Sequence, residues 1–373
     1  MITIKEVKTR KEKKQFLRFP DRLYRHDKFY VPNLYLDEKS CLNRKSPYEE
    51  VCDSAFFLAY DGENVVGRIQ TIIQKEYNRI HREKRVRFTR FDSIDDIEVS
   101  SALFKAAEDW AKERGMDTIC GPLGYSDFER EGLLIEGFDQ RQTFEEQYNY
   151  PYYPKLVEAY GFRKEIDWIE SVLRAPEHED KNMKHLANKL LERNHLRVVD
   201  NRMRKKKFIR RYGRGFFDCI EESYRELYGT VPFTQKMRDE IIRVFFPIID
   251  LKGTCFIVDE ADRVVGCAIM FPGISEAVQK SRGHLTPLGV FRLLRAIRHP
   301  KVLDLGLIGI RPEYRNSGIT AVCFAGLWEC FRSLKVDHME TNLNLEDNFA
   351  IRNMWKRFDH VENKRRRCYV KKI

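Results

Sequence analysis

The residues with the clearest chemical potential lie between Val302 and Phe358. The turn Arg315-Asn316-Ser317-Gly318-Ile319-Thr320 follows an apolar run from Val302 to Ile310 and precedes a helix-forming run from Ala321 to Leu334. A strand–turn–helix of this kind presents backbone N–H groups at a helix N-terminus, where the free donors suit an anion such as a pyrophosphate. Gly318 fits there because a backbone that closely approaches a phosphate has no room for a Cβ. Many such turns bind nothing, so the spacing alone leaves both readings open.

The downstream context narrows the choice. A second strand, His338 to Leu343, leads into Glu346 to Phe358, which contains Asn348, Ile351, Met354 and Trp355. Arg-x-x-Gly-x-Thr after a strand, then a strand and Asn-x-x-Ile-x-x-Met-Trp, resembles the acyl-CoA-binding core of the GNAT acyltransferase superfamily. The resemblance implies a splayed pair of parallel strands around the pantetheine arm, with the pyrophosphate at the turn. It implies acetyl-CoA or another acyl-CoA, held by Ile308, Gly309, Ile310, Arg315, Asn316, Ser317, Gly318, Ile319, Thr320 and Asn348. Two positions depart from the family pattern. Thr320 stands where Gly or Ala is preferred, and Trp355 stands where many members have a Tyr that protonates the leaving thiolate. An indole N–H donates hydrogen bonds but is no acid near neutral pH.

Transfer of the GNAT kind needs a polarised thioester carbonyl and an amine relieved of its proton. By the same resemblance, the backbone of Ile308 to Ile310 supplies the first. Asp304 is the first candidate base and Glu340, on the neighbouring strand, the second. Both could equally be strand-end carboxylates paired to an Arg. Ser126 and Cys323 lack a matching His and carboxylate nearby in sequence, which argues against a covalent intermediate.

Two halves must position these groups. In the C-terminal half, Leu196 to Val199 reads as a strand, Phe208 to Leu227 and Thr234 to Ile249 as helices, and Cys255–Val258 with Val264–Phe271 as a hairpin. Pro272 to Pro300 is an insertion whose segment Leu288 to Ile297 reads as a short basic amphipathic helix, a lid or substrate wall. The N-terminal half repeats the plan: strands at Ile2–Val7, Phe56–Tyr60, Val65–Ile73 and Val86–Phe91, then a helix from Ile97 to Arg114. Its turn carries Asp92, Asp95 and Asp96 and no Gly, which would repel a pyrophosphate. Acidic residues there also suit the positive end of a helix. The resemblance extends over nearly the whole chain. It implies an α/β fold of two tandem GNAT-like domains, each a mostly antiparallel twisted sheet with a splayed parallel pair, flanked by helices. The expected division is a degenerate GNAT-like domain over 1–173, a linker over 174–189, and a GNAT domain over 190–373 with its insertion at 272–300.

Loops rich in Gly, Tyr and Asn close the first half, and Tyr125, Asn149 and Tyr153 are the expected wall of a substrate pocket between the halves. The alternative is that the tyrosines pack the interface. The net charge is +11 from 68 basic and 57 acidic residues. The excess lies in Arg202–Arg214 and Lys364–Lys372, either a field for an anionic partner or a solvated surface. The nine Cys include no Cys-x-x-Cys pair, which points to no metal and a reduced interior. No run spans a membrane, so the expectation is a cytoplasmic protein without a membrane partner.

The favoured reading is an acyl-CoA-dependent N-acyltransferase, expected to transfer acetyl directly to a small-molecule or peptidic amine. The alternatives are an aminoacyl-tRNA-dependent peptidyl transferase-like protein and a non-catalytic ligand- or nucleic-acid-binding protein. Nucleic acid is the less favoured partner. Acceptor, acyl length and oligomeric state are left open.

Overall fold

The computed structural model of the chain describes residues 1–42, 46–174 and 181–373, the side chain of residue 181 excepted. The first half runs β1 (Ile2–Glu6), α1 (Arg10–Leu23), α2 (Tyr35–Cys41), β2 (Cys52–Asp61), β3 (Asn64–Gln74), α3 (Lys75–His81) and β4 (Arg85–Ser93). It continues with α4 (Ile97–Lys112), β5 (Thr118–Gly121), β6 (Leu133–Glu136), α5 (Tyr153–Ala159) and β7 (Arg163–Arg174). The second half begins with α6 (Lys181–Arg193), β8 (Arg197–Val198), α7 (Lys205–Tyr224), α8 (Gln235–Phe245), β9 (Thr254–Val258), β10 (Val264–Pro272) and α9 (Ser275–Lys280). It ends with α10 (Pro287–Arg298), β11 (Val302–Ile310), α11 (Thr320–Leu334), β12 (His338–Thr341), β13 (Asn344–Leu345), α12 (Phe349–Trp355) and β14 (Asp359–Lys372).

Local chemistry sets several of these boundaries. Thr9 and Glu12 form a reciprocal capping box at the start of α1. Thr234 caps α8, as the sequence suggests, by accepting from Met237 N. Asp96 caps α4 through Glu98 N and Val99 N, so the acidic turn of the first half serves its own helix. Asp92 is buried and pairs with Arg68 at 2.7 Å.

The strands join in one mixed sheet, ordered β1-β2-β3-β4-β5-β14-β7-β12-β11-β10-β9-β8. Each half contributes three antiparallel strands followed by a parallel pair: β4 with β5, and β11 with β12. The last strand of each half then lies against the other half's sheet. β14 pairs with β5 from Tyr369↔Gly121 to Lys372↔Thr118, and β7 pairs with β12 at Met339↔Leu173 and Glu340↔Val172. β7 and β14 pair with each other from Asp359↔Arg174 to Val370↔Arg163. The halves are therefore tied by an exchange of strands rather than joined end to end. Of the linker expected at 174–189, residues 175–180 lie outside the described residues. α6 begins within it and sends Ala187 and Leu190 into the core around α11.

This seam also corrects the expected placement of the second basic run. Lys364 and Arg366 are buried in β14, where Lys364 Nζ sits 2.9 Å from Glu170 and 3.1 Å from Glu340. Arg366 Nε lies 2.6 Å from Glu170, and its other nitrogens donate to Gln147 O and Gln142. Arg367 forks onto Asp167 at 2.8 and 3.0 Å. Lys364 and Arg366 are thus matched inside the sheet, because cations on inward-facing strand positions persist in a low-dielectric interior only when paired, while Lys372 at the end of the run is exposed.

β10 is buried along its whole length, so it reads as continuous apolar sequence rather than alternation. One of its faces meets α7 and α8, with Phe216, Phe217, Phe256 and Phe271. The other meets α11 and α6 through Leu303, Phe324 and Leu327.

Candidate active site

The site starts where β11 and β12 part. They pair in parallel from Val302↔His338 to Leu305↔Thr341, and Asn342 N then donates to Leu305 O at 3.1 Å. Beyond that point β12 stops while β11 continues to Ile310. Gly306 is a bulge: Met270 pairs with Leu305 and Ile269 with Leu307, leaving Gly306 unmatched. A Cβ on Gly306 would lie 2.4 Å from the Phe271 ring, so the close approach needs Gly. A bulge re-aims the backbone groups that follow it, here on the strand edge exposed by the splay.

The strand ends in a 3-10 turn over Pro312–Ser317, and Gly318 follows with φ +84°, a left-handed conformation that Gly adopts at little cost. α11 then begins at Thr320 with no side-chain cap on its N-terminus. The N–H groups of Ala321, Val322 and Cys323 are taken up by Gly318 O and Ile319 O, and Arg315, Asn316 and Gly318 are exposed in the turn before them. Arg315 also donates to Ser223 O at 2.8 Å, which anchors the turn to α7. Asn348 caps α12, accepting from Ile351 N at 3.3 Å, and faces the adjoining cavity.

That cavity has a volume of about 250 Å³. It is lined by Gly306–Ile308 and Asn342–Asn344 and by Phe216, Phe245 and Ile249 of α7, α8 and the residues after them. Its wall is mostly aromatic and aliphatic, with Asp127, Glu129, Glu131, Glu145 and Glu146 also on it. A second cavity of about 190 Å³ lies in the N-terminal half, walled by Tyr24, Tyr30, Leu34 and Tyr48, with Arg68 and Arg90. Phe128, Glu129, Glu145, Ile241 and Phe245 line both, so the two cavities meet at these residues.

Asp304 is buried on β11, opposite Glu340 in the parallel register. Its Oδ2 has no hydrogen-bond partner among the described residues. Burial pushes its pKa up to about 8; the Glu340 charge adds to this and Lys364 opposes it. Glu145, at the junction of the cavities, is also raised to about 8, by burial and then by the charges of Asp304 and Glu146. Glu340 behaves in the opposite way. Burial would raise it, but the Lys364 ammonium and a hydrogen bond from His338 hold it at about 2. A carboxylate held that firmly in its charged form is a poor proton acceptor near neutrality. The two sequence candidates are thus neighbours in different states, Glu340 held charged by its ion pair and Asp304 favouring its protonated form, and neither lines either cavity.

Trp355 lines the first cavity and its indole N–H donates to Asn344 Oδ1 at 3.0 Å. The hydroxyl at the splay belongs instead to Tyr224, on the last turn of α7, which donates to Ile308 O at 3.0 Å. Burial raises its pKa. In the sequence Tyr224 looks like one more apolar-face position of a helix, and Glu145 sits in a loop without periodicity. The available signal was a buried phenol needing a partner.

Tyr125, Asn149 and Tyr153 are committed to the interior of the N-terminal half. Tyr125 stacks on Tyr48 with centroids 4.6 Å apart, and its hydroxyl accepts from Gln70 at 2.7 Å. Asn149 bridges the backbone N–H and C=O of Leu134 at 2.8 and 3.0 Å. Tyr153 contacts the Tyr24 hydroxyl at 2.8 Å and accepts from Ser93 N at 3.0 Å. None of the three lines either cavity. Ser126 and Cys323 are fully buried. Among the described residues, no cluster of His, Cys, Asp or Glu is placed to hold a metal ion.

Comparison with solved structures places this architecture. A tandem GNAT protein from the clavulanic acid biosynthesis pathway superposes with a TM-score of 0.56 at 13% identity, over 100% of this chain and 98% of that one. This is a tandem GNAT fold. The GCN5-related glucosamine N-acetyltransferase region of a fungal multi-domain β-N-acetylglucosaminidase gives a TM-score of 0.58 at 11% identity, over 100% of this chain and 38% of that one. No family model matches the chain. In sequence, the chain is 28% identical to protein YghO of Escherichia coli K12, over 96% of its length and 93% of that protein's. It is 26% identical to a bacterial ceramide synthase of Caulobacter vibrioides, over 85% of its length and 82% of that protein's. Within the tandem GNAT fold, the splayed pair and the Gly318 turn belong to the C-terminal repeat.

Proposed function

We propose that the chain is an acyl-CoA-dependent N-acyltransferase that takes a long acyl chain rather than acetyl alone. The observation that carries this reading is the mostly apolar cavity that Gly306–Ile308 at the splay share with Phe216, Phe245 and Ile249. A two-carbon acyl group would leave most of it empty, whereas an extended aliphatic chain would fill it and gain from leaving water. The relative named a bacterial ceramide synthase supports the same class of chemistry, because a ceramide is the amide of a fatty acid and a long-chain amino alcohol. The acceptor in this reading enters through the second cavity and presents its amine at the junction beside Glu145.

The step is a direct transfer. The amine nitrogen forms a C–N bond to the thioester carbonyl carbon and the C–S bond breaks. The amine proton passes to Asp304, and Tyr224 returns a proton to the departing thiolate. Backbone groups of β11 beyond the Gly306 bulge stabilise the carbonyl oxygen as charge develops on it. Arg315 and the exposed Arg315–Gly318 turn, at the positive end of α11, hold the diphosphate of the acyl donor.

The test is release of free CoA thiol from hexadecanoyl-CoA and from acetyl-CoA, with and without a long-chain amino alcohol. The expected result is acceptor-dependent release, faster with the longer chain, and lost by about 10²-fold or more in Asp304→Asn. Absence of acceptor-dependent thiol release with both thioesters would overturn the proposal.

A further inference from the structure

The insertion between β10 and β11 leaves an unusual surface. In α10, Gly289, Leu293, Ala296 and Ile297 face inward, and the last three pack on the core around α7 and α8. The outward face is largely apolar as well: Leu288, Val290, Phe291 and Leu294 are exposed, Phe291 by 60%, Leu285 precedes them, and Arg295 and Arg298 follow one turn beyond Phe291 and Leu294 on the same side. Scattered exposed apolar residues are ordinary, but a contiguous set on one helix marks an interaction site. Thr286 caps this helix through Gly289 N, and Pro287 occupies its first turn, so the face is held on a well-formed element.

Charge surrounds the apolar face on one side of the ledger. Between residues 275 and 301, Lys280, Arg282, Arg292, Arg295, Arg298 and Lys301 stand against the single acid Glu276. Glu276 is already paired with Lys280. Arg295 and Arg298 are exposed, in the last turn of the same helix. An apolar strip bordered by arginines, on a helix lying along the surface, has the pattern of an interfacial helix whose apolar side enters a bilayer while its cations meet anionic headgroups. A soluble protein partner would be expected to mix acidic and basic groups around its apolar centre; the one-signed charge of the insertion favours a lipid surface, and the acids next to Leu36 are already paired, Asp37 with Arg243 and Glu38 with Arg90.

The position is informative too. The insertion is fastened to the wall of the second cavity. Gln279 donates to Lys28 O and Tyr30 O at 2.9 and 2.8 Å, and Tyr35 N donates to Gly283 O at 2.9 Å. The Tyr35 ring lies 5.1 Å from His284, and the adjoining Leu36 is a further exposed apolar side chain. The apolar strip therefore continues from α10 across to α2, beside Tyr30, Asn33, Leu34 and Asp37, which line the cavity.

We infer that α10, with Leu36, is a docking surface for an anionic membrane. It sets the mouth of the second cavity against the lipid from which a long-chain amine would be drawn. The docking stands on the surface itself; only the delivery of the amine rests on the proposed N-acyltransferase reading. This departs from the sequence expectation of no membrane partner, which followed from the absence of a spanning segment. A helix lying in the interface needs none.

The test is co-sedimentation of the full chain with vesicles of phosphatidylcholine, and of an equal mixture of phosphatidylcholine and phosphatidylglycerol. The wild type should bind the mixed vesicles, and raised salt should weaken it. Leu288→Glu with Phe291→Glu, and separately Arg295→Glu with Arg298→Glu, should each weaken binding by about tenfold or more. All four side chains are exposed, so melting temperatures should be unchanged, and thiol release from detergent-dispersed substrates should persist. A wild type that stays in the supernatant with mixed vesicles would overturn the inference, as would variants that sediment equally well. So would a lipid-free dimer that Leu288→Glu with Phe291→Glu dissociates, since a second copy would then be the occupant. Vesicle binding without any acyl transfer would instead uphold the docking surface and count against the enzymatic reading alone.

Discussion

Asp304 makes the sharpest claim at the level of single residues. Its pKa rises from 3.8 to about 8 on folding, so the folded protein keeps a proton that the unfolded chain gives up. Its contribution to stability is therefore fully present below 3.8 and is lost as pH rises towards about 8. Catalysis runs the other way, because the base works only once the proton has left. The rate at low substrate should climb with pH and level off above about 8, and Asp304→Asn should flatten the profile. The same variant should melt no lower than the wild type at high pH, where a merely structural carboxylate would have been missed. Tyr224→Phe removes the 3.0 Å hydrogen bond to Ile308 O. It should cost about 1 kcal/mol of stability in a thermal melt and lower turnover while leaving acyl-CoA affinity unchanged in a titration. Asp304 was singled out in the sequence through the resemblance, as a carboxylate on the strand before the turn. Glu145 and Tyr224 were not, because what surrounds them is brought there by other elements.

At the level of elements, the turn before α11 carries the cofactor assignment. Its φ of +84° at Gly318 strains any other residue, and Leu190 on α6 would lie 3.1 Å from an added Cβ. Gly318→Asp alone would therefore mix strain with charge. Paired with Gly318→Ala, which brings the same strain, the difference isolates the carboxylate. Both should lose similar stability, and only Gly318→Asp should abolish binding of acyl-CoA measured by calorimetry. Equal affinities in the two would remove the diphosphate from this turn. Most strands and helices were readable from periodicity, since α4, α7, β10, β11 and α11 carry strong apolar patterns, and Asp96 marks the start of α4. The run Lys364–Arg367 was misleading for a physical reason. Local charge density says nothing about whether Glu146, Asp167 and Glu170, distant in sequence, will meet it inside the sheet.

At the level of the whole molecule, the exchange of β7 and β14 changes what the two halves can do alone. A fragment from residue 183 onward keeps the acyl-CoA turn but lacks β7, leaving β12 and β14 without their shared neighbour and Lys364 without Glu170. Such a fragment should fail to fold as a monomer, aggregating through its open strand edges, and the intact chain should melt in a single transition. A soluble, folded fragment would mean the seam is dispensable. The sequence could reveal the repeat but not the exchange, because the alternating pattern of a strand is the same whichever sheet it joins.

The central claim, one long-chain acyl-CoA site built by the C-terminal repeat, is tested most directly by calorimetric titration of the intact chain with acetyl-CoA and hexadecanoyl-CoA. The account predicts one molecule bound per chain in each case, tighter for the longer chain because its tail enters the cavity behind the splay. It also predicts a more negative heat-capacity change for the longer ligand, the mark of buried apolar surface. Two molecules per chain would contradict the assignment of the acidic first-half turn, and equal affinities would contradict the acyl pocket. No binding of either would contradict the account as a whole.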